Sequence, residues 1–170
     1  MKKIVALILV SLMLLCTTAT AESIDLSTMT KEELIALIDN ARLELTKYLP
    51  VAEEGTVLHE DELVRITYTS MELDDYDSLL LNVVVENLTD SNVYVSLQNA
   101  SCNGWSVWEG VVEVPANKKA KVAFDFMDAV IDAELESVED VQDIEGDLLV
   151  MDSDTYENLA DEVHVLWNFK

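Results

Sequence analysis

The chain has 170 residues, with 10 basic side chains against 34 acidic ones and a formal net charge of −24. That balance excludes recognition of a phosphate backbone, which needs clustered Lys and Arg, and it excludes electrostatic attachment to anionic lipid. Half of the residues are hydrophobic, enough for one cored domain that needs no staples.

The first 21 residues read as a signal peptide. Lys2 and Lys3 give a positive start, Ile4 to Leu15 is apolar except for Ser11, and Ala19-Thr20-Ala21 is a small-x-small cleavage site before Glu22. An apolar run of about twelve residues is too short to span a bilayer, which takes ~20. Cys16 follows the bulky Leu15, which argues against a lipidated cysteine. The short, Lys-led form looks bacterial, and the expected location is outside the cell or in its envelope. Removing the leader takes away two lysines and no acid, leaving 8 basic against 34 acidic side chains, a charge of −26. Such a charge keeps molecules apart in solution; its sharper reading is a basic or cation-rich partner. Cys102 is then alone, so no internal disulfide can form, and its place among strand residues predicts a buried thiol.

Thr30 and Glu33 form a capping box. Leu34, Leu37, Ile38, Ala41, Leu45 and Tyr48 follow at one-face helical spacing, and Pro50 stops the run. This predicts an N-terminal helical segment over 22–49, with the helix at 31–49. Its stripe is expected to pack on the following domain or on another copy of the chain. After a loop at 50–56 the period changes to that of strands. Leu63 to Met71 is the first, and the acidic turn Asp74–Asp77 closes it. Leu79 to Glu86 is almost wholly apolar, so a central strand covered on both faces is expected. Val93 to Gln98 alternates. Asn103-Gly104 predicts a tight turn, since both tolerate positive φ. Trp105 to Trp108 and Val111 to Val114 read as short strands, Pro115 to Lys118 as a turn, and Lys119 to Phe126 as a cleanly alternating strand. A short helix is expected within 127–135, with Met127, Val130 and Ile131 on one side. Strands at 144–151 and 162–169 complete the chain, the last burying Val163, Val165, Trp167 and Phe169. Short strands separated by turn signals predict an antiparallel sandwich or barrel over 56–170.

Val83-Val84-Val85-Glu86-Asn87, Asn103-Gly104-Trp105 and Val114-Pro115-Ala116-Asn117-Lys118-Lys119-Ala120, with the helix opening Leu26 to Leu34, cover most of the segment after the leader. Together they resemble a family of immunoglobulin-like domains in secreted proteins of Gram-positive gut bacteria. The resemblance implies a mostly β, Ig-like antiparallel sandwich behind one amphipathic helix, of unknown function. Asn117 stands where that family has Gly, and Asn is the next most tolerant residue for positive φ. The shared motifs are turn chemistry and mark architecture rather than activity.

No catalytic constellation stands out. His59 and His164 lie in no motif that pairs a base with a Ser or Cys nucleophile, and two His with one Cys lack zinc spacing. Asp152 and Asp154, with Glu157, Asp161 and Glu162 nearby, supply oxygen ligands of the kind calcium takes, but the EF-hand spacing is absent. Acid-rich loops are expected in so acidic a chain without any ion, and no cofactor is implied. Among 34 acids no hydrolytic pair can be singled out. Asn87-Leu88-Thr89 and Asn99-Ala100-Ser101 match glycosylation sequons by chance in a bacterial chain. Trp105 and Trp108 are three apart in a strand-like segment, hence on opposite sides. The plainest reading makes both structural. The functional one leaves one of them exposed beside the turn, to stack on a sugar or anchor a protein. The favoured expectation is an exported, non-enzymatic module that binds protein or glycan. The alternatives are a carboxylate-dependent hydrolase and an envelope protein that self-associates through the helix at 31–49.

Overall fold

The computed structural model describes residues 28–170 apart from Glu109. The signal-peptide reading, with Ala19 and Ala21 at the cut and Cys16 beside it, lies outside the described residues. The chain divides into two compact units, Met1–Tyr48 and Leu49–Lys170.

In the first unit the described element is helix α1, Lys31–Thr46. Its capping box forms as expected. Thr30 Oγ1 accepts from the Glu33 amide at 3.2 Å, and the Thr30 amide donates to Glu33 Oε2 at 2.8 Å. The Thr30 amide holds the Glu33 carboxyl below its ordinary range, with the Thr30 hydroxyl adding to the effect. Ile35, Ile38, Leu45 and Tyr48 are exposed.

The second unit is a mostly β sandwich of two antiparallel sheets. Its strands are β1 (Val57–Glu60), β2 (Val64–Leu73), β3 (Leu79–Asn87), β4 (Val93–Cys102), β5 (Trp105–Ser106), β6 (Val111–Val114), β7 (Lys119–Phe126), β8 (Asp143–Asp152) and β9 (Val163–Asn168). Sheet 1 runs β1-β2-β3-β7. Sheet 2 runs β5-β4-β8-β9, with β6 on the same edge of β4 as β5. The chain crosses to sheet 2 after β3, returns to sheet 1 for β7 and crosses again for β8. This is the Greek-key connectivity of an immunoglobulin-like sandwich. The compact unit begins at Leu49, and residues 49–52 are tied to the end of β9. Asn168 Nδ2 donates to the Leu49 carbonyl at 3.1 Å, and the Ala52 amide to the Asn168 carbonyl at 2.7 Å.

Alternation places the core. Val64 and Ile66 of β2, Leu79, Leu81, Val83 and Val85 of β3, Val93, Val95 and Leu97 of β4, and Phe124 and Phe126 of β7 are fully or almost fully buried. Ile144, Leu148 and Val150 of β8 and Trp167 of β9 join the β4 residues in closing the core from sheet 2. Each large aliphatic side chain so buried contributes ~1.5–3 kcal/mol. Cys102 is part of this core.

The structure departs from expectation at β3 and β9, and defines β1 and the short helix after β7 more closely. β3 is central, but its residues alternate between buried and half-buried, so only one face is covered by the core. β1, between the expected loop at 50–56 and the expected strand from Leu63, is a four-residue edge strand whose ladder with β2 breaks between Val57 and His59. The short helix α2 (Ala129–Asp132) buries Ala129, with Ala133 and Leu135 following, while Met127 and Ile131 are exposed. On β9, Val163 is exposed, and the inward positions begin at Val165.

Candidate functional site

The segment after the Asn103-Gly104 turn supplies the exposed aromatic surface. Asn103 and Gly104 have φ of 51° and 83°, and Cys102 pairs with Trp105 across them. Asn103 also ties the turn down: its Nδ2 donates to the Asp140 carbonyl at 2.9 Å, and its Oδ1 accepts from the Gln142 amide at 2.7 Å. The ladder then ends after two residues. Val107 takes the inward place, its amide bonded to the Ala100 carbonyl at 3.0 Å. Trp105 and Trp108 are 59% and 68% exposed. Neither fills the core, contrary to the opposite-sides argument, because the period of two applies only while the chain stays in the sheet. Val111, exposed at the start of β6, extends the apolar surface. Gly110 lets this segment lie against β7, where a Cβ would sit 2.5 Å from the Asp125 amide nitrogen.

A second aromatic group lies on the outer face of sheet 2. Tyr94 projects outward between inward Val93 and Val95, and its ring stacks on Tyr156 at 5.8 Å between centroids with 28° between planes. Tyr156 is 68% exposed and is held at φ 59°, an unusual value for a bulky residue. Its amide donates to the Asp152 carbonyl at 2.9 Å. Glu113 is the cross-strand partner of Tyr94 on β6. The Tyr94 hydroxyl is pushed above its ordinary range first by the charge of Glu113, then by Tyr156, with Asp154 adding to it. Sequence reasoning did not single out this pair. The two tyrosines are far apart in the chain, and only the register and the return of the loop after β8 bring them together.

Asp152 and Asp154 are not brought together as ligands. Asp152 Oδ1 accepts from the amides of Asp154 and Thr155, both at 3.0 Å, and from Thr155 Oγ1 at 3.3 Å. Those amides, with the Ser91 hydroxyl, hold its carboxyl below the ordinary range. The carboxylate therefore closes the turn. Among the described residues no group of three or more His, Cys, Asp or Glu is placed to hold a metal. The histidines pair with acids: His59 Nε2 lies 3.0 Å from Asp61 Oδ2, and His164 Nδ1 lies 3.0 Å from Asp147 Oδ1. Neither imidazole is bonded to a Ser or Cys. Asn87 is buried, and its Nδ2 donates to the carbonyls of Ser91 and Val114 at 2.8 and 3.0 Å. Its sequon amide is thus engaged in the fold.

On the outer face of sheet 1 an open depression of about 450 Å³ is lined by Thr69, Ser70, Glu72, Asn82 and Lys121. It contains one carboxylate, Glu72, where acid–base hydrolysis needs two. No family model, curated protein or solved structure matches the chain. Among the described residues no helix is long and apolar enough to cross a membrane.

Proposed function

We propose that this chain is an exported, non-enzymatic binding module that contacts a protein or glycan through Trp105 and Trp108 at the edge of sheet 2. The carrying observation is the exposure of both indoles within four residues, with the exposed Val111 three residues further along the chain. Aromatic side chains anchor protein contacts and stack on sugars at low entropic cost, and the turn and Gly110 hold this segment against the sandwich. The leader at residues 1–21 and the resemblance to secreted Gram-positive Ig-like domains support export. Screening the protein without its leader against glycan and extracellular-protein panels tests the reading. Trp105→Ala with Trp108→Ala should abolish any binding found while leaving the thermal midpoint unchanged. A ligand held equally well by the double variant would overturn it. The hydrolase alternative finds one carboxylate in the depression on sheet 1 and draws no support there.

The exposed Ile35, Ile38 and Leu45 of α1 favour a second reading, self-association through that helix. Light scattering of the protein with and without residues 31–49 distinguishes them. A monomer in both cases rules self-association out.

A further inference from the structure

We infer that the outer face of sheet 2 at Tyr94, Tyr156, Glu113 and Asp154 is a docking site for an arginine side chain of a basic partner protein. This site is distinct from Trp105 and Trp108 and does not rest on their role. Tyr94 and Tyr156 are stacked on each other, and Tyr156 leaves most of its ring open to solvent. An aromatic face attracts a cation, and a guanidinium both stacks on the ring and forks to a carboxylate. Glu113 is beside Tyr94 across the β4–β6 ladder, and the charge of Asp154 is felt at the Tyr94 hydroxyl. Among the described residues neither acid is ion-paired, whereas Glu60 and Glu86 on the other sheet each hold a basic neighbour. One step along the same outward face, Ser96 is buried and its Oγ has no hydrogen-bond partner among the described residues. Buried hydroxyls are seldom left so.

Charge complementarity selects the occupant. A chain of net charge −24 repels acidic surfaces and acidic glycans, and the local pair of unpaired acids beside open aromatic rings calls for a cation that is also planar. Lysine, a compact and strongly hydrated charge, gains less from the stack. The outward face of the tyrosine site also includes the exposed Val111, which lies across from Ser96 on β6.

The test is binding of a fluorescent Arg-containing peptide, with its Lys-for-Arg counterpart of equal charge, by anisotropy at physiological salt. The Arg peptide should bind more tightly than the Lys peptide. Tyr156→Ala and Glu113→Gln should each weaken the Arg peptide about fivefold. Glu72→Gln, which removes one charge from sheet 1, should change it less than about twofold, as expected of a screened distant charge. Trp105→Ala with Trp108→Ala should keep Arg-peptide binding, so failure here and failure at the tryptophans are read separately. Amide shifts in the unsubstituted protein should centre on Tyr94, Glu113 and Tyr156, which guards against a variant that misfolds. Equal losses from Glu72→Gln and Glu113→Gln, equal affinity for the two peptides, or shifts spread over the acidic surface would overturn the inference.

Discussion

On the outer face of sheet 1, Glu60, Arg65, Glu86 and Lys119 lie in one row across all four strands, alternating in sign. Arg65 is paired to Glu60, and Lys119 Nζ lies 2.9 Å from Glu86. On the outer face of sheet 2, the cross-strand pair is Tyr94 on β4 and Glu113 on the edge strand β6, with Tyr156 stacked on Tyr94 and no basic side chain in the group. Cross-strand pairs of opposite charge stabilise a sheet, so the first face satisfies itself. The second carries charge and aromatic surface that contribute nothing of that kind to the fold. A scarce supply of Lys and Arg has been placed where it neutralises one face and leaves the other acidic. That asymmetry is the physical ground for looking for a partner on sheet 2.

The largest expected effect lies where the two sheets join. Asn87 ends β3, and its side chain binds the Ser91 and Val114 carbonyls while accepting from the Thr89 amide and hydroxyl at 2.9 and 2.8 Å. Asn87→Ala takes a buried donor from the Val114 carbonyl and the acceptor from the Thr89 amide and hydroxyl, and should cost about 2–4 kcal/mol. The midpoint of thermal unfolding should fall by roughly 10 °C. Loss of only a degree or two would mean that the crossover is held by strand packing alone.

Next is Gly110→Ala. Its Cβ would meet the Asp125 amide nitrogen at 2.5 Å and carbonyl oxygen at 3.1 Å, both backbone atoms of β7 that cannot swing aside. The segment must lift from β7, at a cost of about 1–3 kcal/mol. The change should appear in the tryptophan emission, because Trp105 and Trp108 lie on the segment that leads into Gly110. Tyr94, on the outer face of sheet 2, should keep its raised ionisation. A variant with wild-type emission and stability would show that the close approach to β7 does not hold the tryptophan edge.

Much of this architecture was legible in the chain because it rests on local chemistry. The capping box at Thr30, the Asn103-Gly104 turn and the alternation of β7 depend on residues close in sequence. Asn117, predicted to tolerate positive φ, has φ of 54°. What was not legible depends on where ladders stop. A strand-like spacing puts the tryptophans on opposite faces, yet β5 ends at Ser106 and both indoles face solvent. The alternation gives Val163 an inward place, two residues before β9 becomes covered at Val165. The Tyr94–Tyr156 group needed the register of β4 on β6 and the fold-back after β8, neither of which a single strand encodes.

The smallest effects set the two faces against each other most directly. Glu86→Gln removes the shared partner of Lys119 and Arg65 on a partly covered row and should cost ~0.5–1 kcal/mol, less at high salt. Glu113→Gln removes a carboxylate that has no cation to lose, so it should leave stability unchanged or slightly raised at neutral pH. Its effect belongs to Tyr94. With the Glu113 charge gone, the raised ionisation of Tyr94 should move back toward the ordinary phenol range, read by near-ultraviolet absorbance. The sign of the linkage follows. A phenol whose folded value is raised keeps its contribution below the unfolded value and loses it as pH climbs through the folded one. The unsubstituted chain should therefore lose stability in that alkaline window more steeply than Glu113→Gln. If the two variants lose equal stability and Tyr94 titrates alike in both, the faces are electrostatically equivalent and the contrast between them fails.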